Sequence, residues 1–580
     1  MSKLKAFSQY KSYLPLLISL LLFSTWAVEV YFQKPLVWDE IVSLTNFVLV
    51  SFGTTVTEYP DVNNHVFFNL VNNLYCKMLS VSDLYDAMDK IASIRLLPFA
   101  LSVLTIFYTW CIGKRFFNSA IAGMAAIILI TTLPFLNFTM QLRGYTFSAT
   151  LLAMSTYHLL SFQQSAKWPH LLTSVLTVSA LLYTIPSNVF FVLSLGLIFF
   201  IYWFSEGRKT SREAQKKKAS ISLVETWIKN RYFAILCAIG LSALIAYLLY
   251  LPILEDIMSE RHLQQVKGKS FYAYNVQDLL PKVLYYLTSF RFLFAITTVI
   301  GLLALYRLTK RLGWKARSVY HAVFIFLLFM LPFVISLVRG DKTPQRSFVP
   351  LAMPFAILSA LSIYSAFREV KFARRYPLAL FGIVGAYCLL SFQWSVDNKN
   401  KVLHKAILDG DKLNTMMYNF YQSEDYGMEY LDPLIEDVKK TGLPIVMARE
   451  IDRVSEGEYL LKHDLNYYST VWSKQVGAKN EQGYQYAVLL EISQGKGKRP
   501  GYQQITFPPQ FRKEAGKFIP IFYYLMQNGI IDKSDPKCYV LTYAPRWFEG
   551  VMQDYMPQFK FERMSPKLSY HNVYMLSLKK

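Results

Sequence analysis

Long apolar runs separated by short polar stretches dominate the first two thirds of the chain. Runs of about 20 apolar residues can cross a bilayer as helices. The pattern predicts a polytopic α-helical membrane protein with eleven transmembrane helices, at residues 12–32, 91–112, 119–136, 145–163, 170–183, 187–204, 232–254, 291–307, 319–338, 347–367 and 377–395. The run at 170–204 is divided because Pro186 breaks a helix. The first run lacks a small-residue cleavage site, so we expect a retained helix rather than a signal peptide.

Basic residues assign sides to these spans. The chain has 61 Lys and Arg against 39 Asp and Glu, a formal charge of +22. The Lys and Arg residues concentrate in alternate loops, for example around Lys114 and in the run 208–218. This positive-inside pattern predicts a cytoplasmic N-terminus and requires no nucleic-acid partner. An odd number of spans then places residues 396–580 on the outer face, together with the loops 33–90 and 255–290.

The C-terminal part has a different pattern. Short buried strands are predicted at 444–448, 486–490 and 538–543, and helices at 425–440 and 511–528. We therefore predict a compact extracytoplasmic α/β domain at 396–580, following a membrane domain at 1–395. It contains no Gly-rich phosphate loop and no nucleophile elbow. We expect it to recognise an acceptor or to act as a scaffold.

Composition supports the membrane assignment and narrows the chemistry. With 53% hydrophobic residues and a mean hydropathy of +0.25, the chain is too apolar for a soluble protein of this size. Its five cysteines are scattered, mostly within apolar runs, and indicate neither a disulfide framework nor a metal site.

Two adjacent carboxylates, Asp39 and Glu40, follow the first span. Ionisable residues at a membrane boundary are costly and mark functional sites. The threading brings further polar residues to the same outer face, namely Asn64, His65, Arg95, Arg143, Tyr145 and Arg346. We predict that the carboxylates are catalytic and that the other six bind substrate. Each has a structural alternative: loop charges for the carboxylates, headgroup anchors for the arginines, and capping or packing for His65.

These residue types favour one reaction. Arginine binds phosphate oxygens through two parallel hydrogen bonds, and a carboxylate can act as general base. Together they suit inverting transfer of a sugar from a polyprenyl-phosphate donor to an acceptor nucleophile, with Asp39 as the base. A transporter or flippase, an O-antigen ligase or polymerase-like protein, and a non-catalytic assembly protein are the alternatives. A transporter would show related halves with broken helices, which the sequence lacks.

The order of these motifs resembles the GT-C membrane glycosyltransferases, including the protein O-mannosyltransferases and the lipid A aminoarabinose transferases. The resemblance covers residues 10–395 and is carried by Trp38-Asp39-Glu40, Asn64-His65, Ser93-Ile94-Arg95, Gln141-Leu142-Arg143-Gly144-Tyr145 and Arg346. It implies a GT-C fold, an Asp base at position 39, a polyprenyl-phosphate sugar donor, and no obligatory metal or other cofactor. The chain departs from the family at Val66, where many relatives have Pro, and at Gln141, where an acidic residue is common.

We therefore expect a multi-pass glycosyltransferase of a bacterial inner membrane. Its partners would be a polyprenyl-phosphate sugar, membrane lipid, and a glycan, lipid or protein acceptor, and we expect a monomer. The sequence leaves open whether the sugar is a hexose or a pentose, and which class of acceptor receives it.

Overall fold

Contacts divide the chain into two units in the computed structural model. One unit contains residues 1–32 and 42–396, and the other contains 33–41 and 397–580. The predicted division into a membrane domain at 1–395 and a second domain at 396–580 stays a prediction. The structure describes residues 2–32, 36, 38–59, 64–216, 230–258, 299, 303, 306, 310, 317–339, 345–367, 376, 378–391, 393, 431–448, 460, 463–471, 479–480, 483–484, 487–492, 501–506, 518–542, 545–564 and 572–579.

The described part of the first unit is helical. Its α-helices are α1 (Ser2–Trp26), α2 (Trp38–Ser43, which enters this unit at residue 42), α3 (Phe52–Thr57), α4 (Val66–Met78), α5 (Leu84–Asp89), α6 (Ile91–Ile94), α7 (Leu96–Phe116), α8 (Ser119–Ile130), α9 (Leu133–Phe138), α10 (Gly144–Ser165), α11 (Trp168–Thr184), α12 (Val189–Lys216), α13 (Arg231–Tyr250), α14 (Leu254–Met258), α15 (Arg317–Arg339), α16 (Ala352–Phe367) and α17 (Leu378–Ser391). Wider turns extend two of them, at Ala27–Tyr31 and Leu44–Val48. Tighter 3₁₀ turns occupy Pro186–Asn188, Leu251–Ile253 and Gln345–Leu351.

Six helical stretches among the described residues are long and apolar enough to cross a membrane: Tyr13–Tyr31, Ile91–Phe116, Pro186–Arg208, Arg231–Met258, Val319–Arg339 and Arg346–Phe367. Helices α8, α10, α11 and α17 lie at four more predicted spans. Most of the predicted span 291–307 and most of the loop 255–290 fall outside the described residues. The polytopic helical fold is thus confirmed, while the count of eleven and the orientation stay predictions.

Local sequence accounts for the helix boundaries. The predicted break at Pro186 is present, because α11 ends at Thr184 and α12 begins at Val189. Asn118 caps α8 by accepting a hydrogen bond from the backbone N–H of Ile121 at 2.9 Å. Asn230 caps α13 in the same way through Tyr232, also at 2.9 Å. Asparagine is favoured there because it satisfies an amide that no helical carbonyl reaches.

Small residues and hydroxyls allow close packing within the membrane unit. A Cβ atom at Gly113 in α7 would lie 2.6 Å from the Cα of Ala122 in α8, so the two backbones touch there. The Oγ1 atoms of Thr105 and Thr150 are 2.9 Å apart and join α7 to α10. Such small and hydroxylated residues are typical of helix interfaces in membranes.

The second unit contains a seven-stranded sheet with the order β6-β5-β2-β1-β7-β9-β8. β1 pairs in parallel with β2 and β7, and the other neighbours are antiparallel. The strands are β1 (Ile445–Met447), β2 (Tyr467–Val471), β5 (Ala487–Ile492), β6 (Gly501–Thr506), β7 (Cys538–Thr542), β8 (Phe559–Arg563) and β9 (Asn572–Leu578), with a short separate pair β3 (Lys479–Asn480) and β4 (Gly483–Tyr484). The described parts of the predicted strands at 444–448, 486–490 and 538–543 overlap β1, β5 and β7.

Helices cover both faces of this sheet. Alternate residues of a strand point to opposite faces, so Val446 and Val540 pack on one side, against α19 (Phe518–Gln527) and α20 (Pro545–Tyr555). Ile445 and Leu541 pack on the other side, against α18 (Asp432–Thr441). The described part of the C-terminal region is therefore α/β, and its location outside the membrane stays a prediction.

Replacing Gly113 with Ala should destabilise the membrane unit. The added methyl group would overlap the backbone of Ala122, and overpacking of this kind costs about 1–3 kcal/mol. Gly240→Ala is the matched control, because a Cβ added at this position meets nothing within 4 Å. Alanine in a helix is more stable than glycine by up to about 1 kcal/mol, so this variant should not lose stability. Thermal unfolding of the two variants in detergent tests this. Equal melting temperatures would contradict the close approach of α7 and α8.

Candidate functional site

Helix α4 anchors the first loop to the membrane helices. The ring of Phe67 stacks on Phe147 of α10 at a centroid distance of 5.2 Å. Val66 and Leu70 share a buried cluster with Tyr183 of α11. These contacts hold His65, the residue before α4, against the start of α10.

His65 is fixed by one hydrogen bond to α10. The backbone N–H of Gly144 donates to Nδ1 of His65 at 2.8 Å. Because a backbone amide can only donate, Nδ1 must accept, and the ring proton of the neutral histidine must be on Nε2. Only glycine fits at this point, since a Cβ at position 144 would lie 2.9 Å from the Cβ of His65.

Arg143 and Tyr145 flank the proton-bearing side of His65. The Nη2 atom of Arg143 lies 3.4 Å from Nε2 of His65 and donates to the hydroxyl of Tyr145 at 3.2 Å. The rings of His65 and Tyr145 meet edge to face at 4.9 Å. All three side chains are at most 3% exposed. With Nε2 protonated, the contact between His65 and Arg143 joins two donors, an arrangement that a shared anionic acceptor would stabilise.

Arg346 adds a further positive charge to this cluster. It is partly exposed and lies in the 3₁₀ turn Gln345–Leu351, whose Val349 packs against Tyr145. Burial, then the charges of Arg143 and Arg346, hold the pKa of His65 well below its usual value. The histidine is therefore neutral at physiological pH and acts as a hydrogen-bond donor. We call His65, Arg143, Tyr145 and Arg346 the donor cluster.

Arg95 has a partner elsewhere. This fully buried side chain lies between α6 and α7 and donates from Nη1 to the backbone carbonyl of Tyr31. The hydroxyl of Tyr31 in turn donates to the carbonyl of Leu136. Arg95 thus ties the end of the first span to the start of the second. Its predicted role in binding substrate stays a prediction.

Asn64 holds the first loop together. Its side-chain NH₂ donates to the carbonyls of Thr55 and Glu58, at 3.2 and 3.0 Å. Its Oδ1 accepts from Nδ2 of Asn69 at 3.0 Å. Both the NH₂ group and the oxygen of the Asn64 side chain are therefore hydrogen-bonded within the loop. A contact between Asn64 and substrate stays a prediction.

Asp39 and Glu40 lie in the first turn of α2. Glu40 is fully buried and Asp39 is partly exposed. They belong to the segment that groups with the second unit. The role of Asp39 as general base stays a prediction.

Two features of the site are absent from our sequence-based list of residues. One is Gly144, whose missing side chain admits His65. The other is a row of asparagines on α4, Asn69, Asn72 and Asn73, which are buried. Their spacing of three and four residues in an apolar helix is visible in the sequence and indicates one shared face.

Among the described residues, no group of three or more His, Cys, Asp or Glu side chains is arranged to hold a metal ion. The expectation that the chain needs no metal stays a prediction, because other residues are not described.

A family model described as dolichyl-phosphate-mannose-protein mannosyltransferase matches residues 84–225. The matched segment includes Arg95, Arg143 and Tyr145. A comparison with curated protein sequences finds no match.

Among the solved structures compared, one at a TM-score above 0.5 has a similar fold. ArnT from Cupriavidus metallidurans in the apo state aligns with a TM-score of 0.51 and 11% identity, covering 96% of this chain and 97% of that chain. ArnT bound to undecaprenyl phosphate gives 0.49, with 11% identity and 97% of each chain covered. AglB from Archaeoglobus fulgidus, an archaeal oligosaccharyltransferase in complex with an inhibitory peptide and a dolichol-phosphate, gives 0.43 at 10% identity, covering 99% and 89%. The family match and the apo ArnT fold confirm the resemblance to GT-C membrane glycosyltransferases.

The buried neutral state of His65 predicts a specific dependence of stability on pH. An unfolded histidine has a pKa of about 6.5, so below this pH the unfolded chain takes up a proton that the folded chain excludes. The contribution of His65 to stability is therefore fully present above about pH 6.5 and falls as the pH drops below it. Between pH 7.5 and 5.5, the melting temperature of His65→Gln should therefore fall by less than that of the wild type. Thermal unfolding at the two pH values would measure this difference.

His463→Gln provides the control for this experiment, because His463 lies at a partly exposed turn of the second unit. A pH dependence that is identical in the wild type and His65→Gln would show that His65 is not held neutral.

Proposed function

We propose that this chain is an inverting glycosyltransferase that moves a sugar from a polyprenyl-phosphate donor to an acceptor nucleophile. The observation that carries the proposal is the donor cluster, in which the Nε2–H of His65 and the guanidinium of Arg143 converge beside Arg346. Two arginines and a neutral histidine donor are suited to the oxygens of a phosphate group. A phosphate bound there would satisfy both facing donors at once.

The membrane fold suits the rest of the donor. A polyprenyl chain dissolves in lipid, so an enzyme that uses it must place its phosphate site at the edge of a helical membrane unit. The description of the family model that matches residues 84–225 names dolichyl-phosphate-mannose, which is a sugar on a lipid phosphate. We infer the same class of donor here, a sugar on a lipid phosphate, without assigning the sugar. The acceptor is a glycan, lipid or protein, and the C-terminal unit recognises it.

The reaction is a single displacement. The carboxylate of Asp39 takes the proton from the acceptor hydroxyl or amine as that atom forms a bond to the anomeric carbon. The bond from the anomeric carbon to the phosphate oxygen breaks, and its electron pair leaves with the lipid phosphate. Attack from the side opposite the phosphate inverts the anomeric configuration. The donor cluster stabilises the charge that grows on the leaving phosphate.

We place this reaction on the outer face of a bacterial cytoplasmic membrane. The positive-inside pattern supports this orientation, since the strongly basic loops all lie on the other side in the threading of eleven spans. The same orientation puts Asp39, the donor cluster and the C-terminal unit on the side where a secreted acceptor is available.

Asp39→Asn should abolish transfer while leaving the protein folded. Asparagine preserves the shape of the side chain but cannot take a proton, and loss of a general base costs about 10²–10⁴ in rate. The assay is transfer from a polyprenyl-phosphate sugar by purified protein in liposomes, with melting temperature as the check on folding. Asp89→Asn, at an exposed position of α5, is the control and should retain full activity. A fully active Asp39→Asn variant would refute the role of Asp39.

Arg143→Lys should weaken binding of polyprenyl phosphate about tenfold or more. Lysine keeps the charge but loses the planar fork, and hydrogen bonds to charged groups contribute about 1.5–3 kcal/mol. Arg231→Lys makes the same exchange at a remote position, where Arg231 donates to the carbonyls of Gln163 and Gln164. Titration of each variant with polyprenyl phosphate would measure the difference. Equal losses in the two variants would contradict a phosphate site at the donor cluster.

A further inference from the structure

Helix α4 buries several polar side chains while it exposes some of its apolar ones, which is unusual for a helix of a soluble protein. The asparagines Asn69, Asn72 and Asn73 are at most 1% exposed, whereas Leu74 and Met78 are 54% and 81% exposed. A helix at the edge of a membrane can present apolar residues to lipid. Its polar residues are then expected to face the protein interior, where they pair with one another or with a ligand.

The hydrogen bonds of these asparagines leave polar atoms unused. Nδ2 of Asn73 donates to the carbonyls of Val48 and Val50, and Nδ2 of Asn69 donates to Asn64. Asn72 has only a weak contact, in which its Oδ1 accepts from the thiol of Cys76 at 3.7 Å. Nδ2 of Asn72 and the Oδ1 atoms of Asn69 and Asn73 are buried without a hydrogen-bond partner.

Such atoms indicate a ligand of particular chemistry. A buried amide without a partner destabilises the fold, and an apolar residue of similar shape would avoid this cost. The unused atoms here are one NH₂ nitrogen, which can donate two hydrogen bonds, and two carbonyl oxygens, which accept them. A hydroxyl group can serve both kinds, since it donates once and accepts twice. An ionised phosphate only accepts hydrogen bonds and could not donate to the two carbonyl oxygens, so it fits this face poorly.

The row of asparagines continues from the donor cluster. Residues four apart on a helix lie one above the other, and His65 precedes Asn69 by this interval. Asn69 is thus about one helical turn, roughly 6 Å along the axis, beyond the residue that bounds the phosphate site. In a polyprenyl-phosphate sugar the glycosyl group is bonded directly to the phosphate, so it must lie next to the donor cluster.

We propose that this asparagine face of α4 binds the hydroxyl groups of the donor's glycosyl group, with Asn72 as its main contact. The inference rests on the proposed function, because it takes the phosphate site at the donor cluster as its starting point. Asn73 and Asn69 present the acceptor atoms beside Asn72, and their NH₂ groups hold the face in place through Val48, Val50 and Asn64.

The experiment compares lipids that differ only in the sugar. Wild type, Asn72→Leu and Asn72→Ala are titrated with polyprenyl phosphate and with a panel of polyprenyl-phosphate hexoses and pentoses. Removal of one or two hydrogen bonds to the sugar should weaken binding of the preferred sugar-bearing lipid about tenfold. Binding of the sugar-free lipid should not change. Asn72→Leu should melt at or above the wild-type temperature, because it removes an unused buried amide.

Two further variants serve as controls. Lys77→Leu changes the exposed face of the same helix and should affect neither lipid. Asn73→Leu removes the two bonds to the loop and should lower the melting temperature, which separates loss of structure from loss of sugar binding.

The outcomes distinguish this inference from the function on which it rests. If Asn72→Leu and Asn72→Ala bind the sugar-bearing lipid as the wild type does, the asparagine face holds only water and the inference is overturned. Equal affinity of the wild type for the sugar-free lipid and for every member of the panel would also overturn it, while leaving the phosphate site intact. A wild type that binds no polyprenyl phosphate at all would overturn the proposed function and this inference together.

Discussion

One hydrogen bond, from the backbone N–H of Gly144 to Nδ1 of His65, connects the two parts of the candidate site. It joins the first loop to the start of α10, across 79 residues of sequence. It also decides the chemistry of the histidine, because a ring nitrogen that accepts from an amide leaves the proton on the other nitrogen. If this bond were lost, Nδ1 could be protonated and the ring could turn. Then His65 and Arg143 would no longer present two donors to one point.

Two fully buried arginines in the same unit have different uses. Arg95 donates to the carbonyl of Tyr31, at the C-terminal end of the first span, where the partial negative charge of a helix end attracts a cation. Arg143 lies beside a histidine and a tyrosine, and its contact with Tyr145 includes the ring face at 5.3 Å. A cation over an aromatic ring is attracted to the ring face, which helps to fix its orientation. Side chains thus orient the guanidinium of Arg143, whereas that of Arg95 joins two helices through a backbone carbonyl.

The sequence predicts much of this arrangement and misses its details for physical reasons. Apolar length and Pro186 predict the helices and their break. The predicted substrate-binding set includes His65, Arg143, Tyr145 and Arg346, which the structure brings together. The bond between Arg95 and Tyr31 involves a backbone carbonyl, which no residue pattern marks. The asparagines of α4 are visible as a pattern, but a rule derived from soluble proteins would turn them outward. Lipid around the helix reverses that rule, so the exposure of Leu74 and the burial of Asn72 depend on surroundings that the segment alone does not specify.

Gln141 makes the donor cluster more positive than the family pattern would. The resemblance places an acidic residue at this position, two residues before Arg143, whereas the amide of Gln141 donates to the carbonyl of Asn137 at 3.1 Å. A carboxylate at this position would repel a bound phosphate, because two negative charges at short distance repel each other in a medium of low dielectric. It would thus offset part of the attraction between Arg143 and the phosphate. A neutral amide leaves that attraction intact. In the proposed reaction the charge on the phosphate grows as the bond to the sugar breaks, so a more positive site would stabilise the transition state more than the bound donor.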